Sequence, residues 1–200
     1  MRLLIATRNR NKFREIEAIL GGAGLELLCA ADQPGLPEVD ETGATFDDNA
    51  RLKAAALARA SGMWTLADDS GLEVAALNNA PGVHSARFAG IPSDDRANNA
   101  KLLALMDKIA DRRARFRCVI ALANPDGEIR TVEGCCEGSL LRTPRGTAGF
   151  GYDPLFVPDG LTETFAELQE AVKNRISHRA RALAKARREW RGLLAGGGNA

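Results

Sequence analysis

Apolar residues fall into short runs separated by turn-forming stretches, and their spacing switches between strand and helix periods along the chain. Arg2 to Ala6 reads as a buried strand. From Asn9 to Leu20 the apolar positions are Phe13, Ile16, Ile19 and Leu20, which is the face of a helix stopped by Gly21-Gly22. The chain therefore opens strand, polar turn, helix, and that geometry aims backbone N–H groups and a helix N-terminus at whatever sits above the turn. Leu25 to Ala30 is the next strand candidate. Gln33 to Gly43, with Pro34, Gly35 and Pro37 among the acids Glu38, Asp40 and Glu41, reads as a loop. An Ala-rich helix is expected from about Thr45 to Ser61, with Asn49 and Lys53 four apart and so on one face.

Trp64 to Ala67 is expected to be a short strand that delivers Asp68-Asp69-Ser70-Gly71 at its end, because acids inside the strand would be buried without compensation. Leu72 to Gly90 reads as a small element and a long loop. A helix follows from Ser93 to Ile109. Arg115 to Ala123 and Glu128 to Cys136 read as antiparallel strands joined at Asn124-Pro125-Asp126-Gly127, with a further strand near Ser139 to Leu141. Gly146 to Pro154 is a glycine-dense shaped loop, and Leu155 to Val157 and Thr164 to Ala166 are short runs. The last helix is expected from about Ser177 to Leu194, after which Gly196-Gly197-Gly198 frays. No internal repeat interrupts this order, so residues 1–195 read as a single domain and 196–200 as a flexible tail.

Composition narrows the class. Two hundred residues, 45% hydrophobic and 26% charged, describe a soluble globular chain that can bury roughly 70% of its unfolded surface without disulfides or structural metal. The 27 basic and 26 acidic residues leave a net charge of +1, which removes the broad positive field of a non-specific nucleic-acid binder. Any anionic partner must be held locally. Cys29, Cys118, Cys135 and Cys136 form no C-x-x-C pair and have no histidine at zinc spacing, so they read as reduced thiols. The apolar run Leu3 to Ala6 is too short for a signal segment or a membrane span, and cytoplasm is the expected location.

Four segments could carry chemistry. At the first turn, Lys12 offers a point charge for phosphate while Thr7, Asn9 and backbone N–H groups could cradle the other oxygens; the same pattern also reads as a solvated polar helix start. Asp68 and Asp69, with Glu38, Asp40 and Glu41, are hard oxygen donors of the kind Mg²⁺ takes, or else the acids of a capped turn. In the glycine-rich loop, Phe150 or Tyr152 could stack on a flat heteroaromatic ring while Asp153 accepts from a ring N–H; aromatic plugs for the core are the plainer reading. At the last helix, Ser177 is a plausible N-cap that presents His178 and Arg179 together. Eight Lys and Arg residues lie between Lys173 and Arg191 against Glu189 alone, most of them explained by a solvated helix face. The chain carries no Walker A, nucleophile-elbow, zinc-protease or Rossmann motif.

Six segments stand together in register: Ala6-Thr7-Arg8-Asn9-Arg10-Asn11-Lys12, Glu41 to Phe46, Ala67-Asp68-Asp69-Ser70-Gly71-Leu72, Pro81 to Gly90, Gly149-Phe150-Gly151-Tyr152-Asp153-Pro154, and Ile176-Ser177-His178-Arg179. Over about residues 2 to 185 they resemble the ITPase-like nonstandard purine nucleoside triphosphate pyrophosphatases, also called dITP/XTP pyrophosphatases. The resemblance implies an α/β fold with an elongated mixed β-sheet and flanking helices, two lobes around a central cleft, and a homodimer. It implies Mg²⁺-dependent hydrolysis of dITP, ITP or XTP to the monophosphate and pyrophosphate. By position, Asp69 resembles the catalytic base and a metal-linked carboxylate, with Asp40 or Glu41 the loop ligand. Thr7, Asn9 and Lys12 resemble triphosphate contacts and Ser70 another substrate contact. Phe150, Gly151, Tyr152, Asp153, Lys173, His178 and Arg179 resemble the nucleoside pocket. Arg8, Asn78-Asn79 and His84 depart from the usual pattern without touching these positions.

Two other readings compete. A Maf-like pyrophosphatase acting on pyrimidine or modified nucleotides shares the general architecture. A non-catalytic nucleotide or nucleic-acid binder could use the basic last helix, against which the near-zero charge and the Asp68-Asp69 pair both argue.

Overall fold

The computed structural model describes residues 1–22 and 24–194, so the tail expected at 196–200 lies outside the described residues. Strand β1 spans Arg2–Ile5, β2 Glu26–Cys29, β3 Thr65–Val74, β4 Arg113–Ala123, β5 Ile129–Leu140 and β6 Phe156–Pro158. Helix α1 spans Arg10–Leu20, α2 Phe46–Ser61, α3 Asp95–Leu105, α4 Glu170–Ile176, α5 His178–Glu189 and α6 Arg191–Leu194. Among the described residues the strands form one sheet in the order β2-β1-β3-β4-β5-β6. Strand β1 is parallel to both β2 and β3, while β5 and β6 are antiparallel, so the sheet is mixed as the resemblance implies.

Local chemistry sets the elements nearest the chain start. Leu3, Leu4 and Ile5 are wholly buried, the continuous apolar run of a strand that pairs on both sides within a parallel set. Helix α1 is capped by Asn9, whose side-chain oxygen accepts from the backbone N–H groups of Asn11 at 2.9 Å and Lys12 at 3.2 Å. Helix α2 opens with a reciprocal capping box, Thr45 Oγ1 accepting from Asp48 N and Asp48 Oδ2 from Thr45 N, each at 3.1 Å. The turn predicted at Asn124–Gly127 is closed by the Gly127 N–H on the Asn124 carbonyl at 3.2 Å, a connection short enough to require antiparallel pairing of β4 and β5.

The chain divides into two compact units, and the changeovers fall inside β3, β4 and β5 and at the start of α5. Among the described residues the first unit holds Met1–Asp69, Cys118–Gly134 and 179–194; its core includes Leu3, Ile5, Ile16, Leu66, Ile120 and Trp190. The second holds Ser70–Arg117 and Cys135–His178 around Leu72, Leu102, Met106, Phe116, Phe156 and Phe165. Phe116 meets Phe156 edge-on, with ring centroids 4.8 Å apart.

Three expectations are corrected. Strand β3 does not stop at Ala67 but runs on through Asp68, Asp69, Ser70 and Gly71, because the charges that would halt it are compensated within the fold. The strands expected at Glu128–Cys136 and Ser139–Leu141 are one strand, β5. The last helix expected from about Ser177 to Leu194 is two, α5 and α6, with α4 before them unanticipated by the sequence pattern: Ser177 is extended (ψ 159°) and its N–H closes α4 on the Lys173 carbonyl at 3.0 Å before α5 begins. Helix α4 is only seven residues long, too short to show a periodicity. No helix among the described residues is long and apolar enough to cross a membrane.

One glycine is required by packing. A Cβ on Gly71 would lie 2.3 Å from Ser85 Oγ and 2.5 Å from the Gly82 carbonyl oxygen. That hydroxyl accepts from Leu72 N at 2.9 Å and donates to the Gly82 carbonyl at 2.6 Å, which ties the segment Gly82–Arg87 to β3. Gly71→Ala is expected to cost roughly 1–3 kcal/mol through this overpacking. A urea midpoint equal to that of the unsubstituted protein would show that the approach is not as close as described.

Candidate active site

Strand geometry sends adjacent side chains to opposite faces, so Asp68 and Asp69 enter different surroundings. Both are buried, at 2% and 5% exposure. Asp68 accepts from Lys12 Nζ at 2.5 Å, from Arg179 Nε at 3.0 Å and from the Cys118 thiol at 2.9 Å, with Arg179 Nη2 at 3.4 Å. Arg179 also holds Glu15, one helical turn along α1 from Lys12. Asp69 accepts from Lys53 Nζ at 2.9 Å and from Asn49 Nδ2 at 3.3 Å, both on the face of α2 that the sequence pattern set four residues apart. The Lys53 ammonium has an acceptor for each of its three N–H groups: Asp69 Oδ1, the Asp68 carbonyl at 2.7 Å and Glu41 Oε1 at 2.6 Å. Asn49 turns its own oxygen to the Gly43 N–H at 2.7 Å, which fixes the segment carrying Glu41.

These surroundings drive the two carboxylates apart. Burial alone would raise Asp68, but the charges of Arg179 and Lys12, with hydrogen bonds from Cys118 and Lys12, hold it well below the usual carboxylate range. Burial pushes Asp69 up, and Lys53 and Lys12 oppose that shift without cancelling it. Burial would lower Lys53, yet Asp69 and Glu41 outweigh it and keep the ammonium charged. Asp68 is thus a fixed anion that anchors cations, whereas Asp69 is the more basic of the two and the better proton acceptor.

Of the loop acids, Glu41 is drawn into the site through Lys53, Glu38 pairs with Arg8 at 3.5 Å, and Asp40 is exposed. Glu41 and Asp69 converge on one ammonium group. Among the described residues no three His, Cys, Asp or Glu side chains gather as a metal cage. Two carboxylates are nevertheless the donor set that Mg²⁺ uses when water and substrate phosphate complete its shell, so these residues fit that ion. Thr7 Oγ1 accepts from Asn9 N at 3.1 Å beside the α1 N-terminus, and Ser70 is half-buried in β3.

The second unit carries the aromatic loop. Asp153 accepts from Phe150 N at 2.9 Å and from Lys173 Nζ at 2.5 Å, and that ammonium lies 5.0 Å from the Phe150 ring centroid. The Tyr152 hydroxyl donates to the Ser85 carbonyl at 2.9 Å. His178 stacks on Phe116, with ring centroids 4.7 Å apart. Neighbours in sequence, His178 and Arg179 belong to different units. Sequence reasoning passed over Glu15, Asn49, Lys53 and Cys118 as site residues. The i, i+3 spacing of Lys12 and Glu15 and the i, i+4 spacing of Asn49 and Lys53 on α2 were visible signals, whereas nothing near Cys118 marks it.

Comparison with known proteins agrees on one family. The Ham1 family model matches residues 3–189. A protein of Desulforamulus reducens named dITP/XTP pyrophosphatase is 54% identical over 188 residues, covering 93% of this chain and 94% of its own. Its namesake in Geobacter sulfurreducens is 50% identical over 196 residues, 96% of this chain and 98% of its own. Among solved structures, the Ham1 protein of Staphylococcus aureus superposes with a TM-score of 0.86 at 38% identity, covering 96% of this chain and 100% of its own. The dITP/XTP pyrophosphatase of Mycobacterium abscessus gives 0.74 at 48% identity, with 92% and 97% covered. These matches lend the Maf-like alternative no support.

The charge arrangement makes stability depend on pH in a defined direction. Because the folded-state pKa of Asp68 is depressed, its contribution is present above the unfolded value of about 3.9 and fades as pH falls through the folded value. Asp68→Asn, which leaves Arg179 buried beside a neutral amide, is expected to cost about 3–5 kcal/mol at pH 7. The deficit is expected to shrink in acid, as the native Asp68 is itself protonated. Chemical denaturation at neutral and acid pH measures both, and a deficit that does not change with pH would contradict this account.

Proposed function

This chain belongs to the Ham1 family, and we propose that it is a nucleoside triphosphate pyrophosphatase that hydrolyses nonstandard purine nucleotides such as dITP, ITP and XTP to the monophosphate and pyrophosphate, cleansing the nucleotide pool. The observation that carries the reading is the pair of neighbouring carboxylates in β3 with separate partners, Asp68 holding Lys12 and Arg179 and Asp69 holding Lys53 beside Glu41.

Asp69 is proposed as the base that orients and deprotonates the attacking water. Lys12, held in place by Asp68, neutralises charge as pyrophosphate departs, and Thr7, Asn9 and Ser70 bind the phosphates. Glu41 and Asp69 would hold Mg²⁺, with Asp40 the alternative loop ligand; the ion supplies further charge neutralisation on the phosphates. Phe150, Gly151, Tyr152, Asp153, Lys173, His178 and Arg179 are assigned to the nucleoside. Donors there pair with a 6-oxo group and are left unpaired by the 6-amino group of adenine, a contrast that gives strong discrimination. A homodimer and a cytoplasmic location are proposed with this reading on the strength of the family resemblance.

A panel of nucleoside triphosphates assayed for pyrophosphate with and without Mg²⁺ tests the reading. Release from ITP, dITP or XTP well above that from ATP, and only with Mg²⁺, is expected. Asp69→Asn should lose turnover by about 10²-fold or more while retaining nucleotide binding, since general-base catalysis contributes about 10²–10⁴-fold. Near-normal pyrophosphate release by that variant would remove Asp69 from the base role.

A further inference from the structure

The nucleoside loop is held by a helix to which no role in recognition has yet been given. Gly151, in the middle of Phe150–Asp153, is in the left-handed region at φ +62°. Its backbone is gripped from both sides by α3. The Gly151 N–H donates to Asp95 Oδ2 at 2.7 Å, and the Asn99 side-chain amide donates to the Gly151 carbonyl at 2.8 Å and to the Asp95 carbonyl at 2.7 Å. Asp95 and Asn99 are four apart, on one face of one helix, and all the groups involved lie within the second unit. The Asn99 Oδ1 atom is buried without a hydrogen-bond partner. A buried orphan acceptor costs free energy, and here it accompanies an amide whose donors are both committed to carbonyls.

The loop's other anchors act on its other residues: Ser85 on Tyr152, Lys173 on Asp153 and the Phe150 ring, and Asp153 on the Phe150 N–H. Gly151 has no side chain with which to fix itself, so α3 decides where the peptide joining Phe150 to Tyr152 sits. We propose that Asp95 and Asn99 are positioning residues for nucleoside recognition, clamping Gly151 so that Phe150 and Asp153 present one fixed surface to the purine. This rests on the pyrophosphatase reading above for its substrate, though not for the clamp itself.

The neighbouring Asp94 supplies a control. Its side chain caps α3 by accepting from Arg96 N at 2.8 Å and Ala97 N at 3.1 Å, and it makes no bond to Gly151. Asp95→Ala and Asn99→Ala are expected to raise KM for ITP roughly tenfold with kcat changed much less, the pattern of lost binding rather than lost chemistry. Asp95→Asn keeps a carbonyl oxygen for the Gly151 N–H and should restore KM to near the unsubstituted value. Asp94→Ala should lower thermal stability and leave KM alone. Amide hydrogen exchange at Gly151 should accelerate in Asp95→Ala but not in Asp95→Asn, whatever the substrate proves to be.

Unchanged KM and unchanged Gly151 exchange in Asp95→Ala would overturn the clamp, as would an equal rise in KM in Asp94→Ala. If Asp95→Ala does not fold, KM in Asn99→Ala decides, an unchanged value overturning the clamp, since Asn99 holds the Gly151 carbonyl and not its N–H. An unsubstituted enzyme that releases no pyrophosphate from nonstandard purine nucleotides would overturn the functional reading, and Gly151 exchange would still decide the clamp.

Discussion

The carboxylate of Asp68 is the fixed point of the first unit. It is buried in the middle of a strand, and the groups that make this tolerable come from three other places in the chain: Lys12 on α1, Cys118 on β4 and Arg179 at the start of α5. A buried carboxylate with one ordinary partner would carry a net desolvation cost. Here each oxygen has more than one donor, so the charge is retained and sets where its donors lie. The energetic gain from such a network is modest by comparison with what it specifies. Lys12 cannot reach Asp68 unless Asn9 starts α1 where it does, and Arg179 cannot reach it unless Ser177 ends α4 where it does.

The same logic, with a different balance, shapes Asp69. Its partners on α2 satisfy its oxygens without overcoming burial, so one residue along the strand the carboxylate is made more basic instead of less. Alternation of side chains in a strand is what allows adjacent, chemically identical residues to be tuned in opposite directions. The net charge of +1 therefore conceals a local order in which Lys12, Lys53 and Arg179 alternate with Glu15, Glu41, Asp68 and Asp69. Such a site can grip one small polyanion without giving the whole surface an attractive field for larger ones.

In the second unit the aromatic loop is set by backbone hydrogen bonds together with one buried ion pair, Asp153 with Lys173. The loop from Gly149 to Asp153 closes on itself through Asp153 and is held from outside by Asp95, Asn99, Ser85 and Lys173. In the same unit Phe116 packs with Phe156, Phe165 and His178. A glycine-rich loop with few side chains of its own takes its shape from its neighbours, α3 among them.

By itself the sequence determined the elements whose signals are local. Asn9 marks the start of α1, Thr45 and Asp48 that of α2, and Asn124 to Gly127 the turn between β4 and β5, because caps and turns are satisfied by atoms a few residues away. Six motifs in register also marked the family and most of the candidate site. What only the tertiary structure decided depended on partners far along the chain. The sequence pattern ended β3 at Ala67, since nothing nearby could neutralise Asp68 and Asp69; the charges that carry the strand onward sit at Lys12, Lys53 and Arg179. Likewise Cys118 and the grip of α3 on Gly151 leave no periodic trace, because a hydrogen bond between residues fifty or more positions apart imposes no spacing on either.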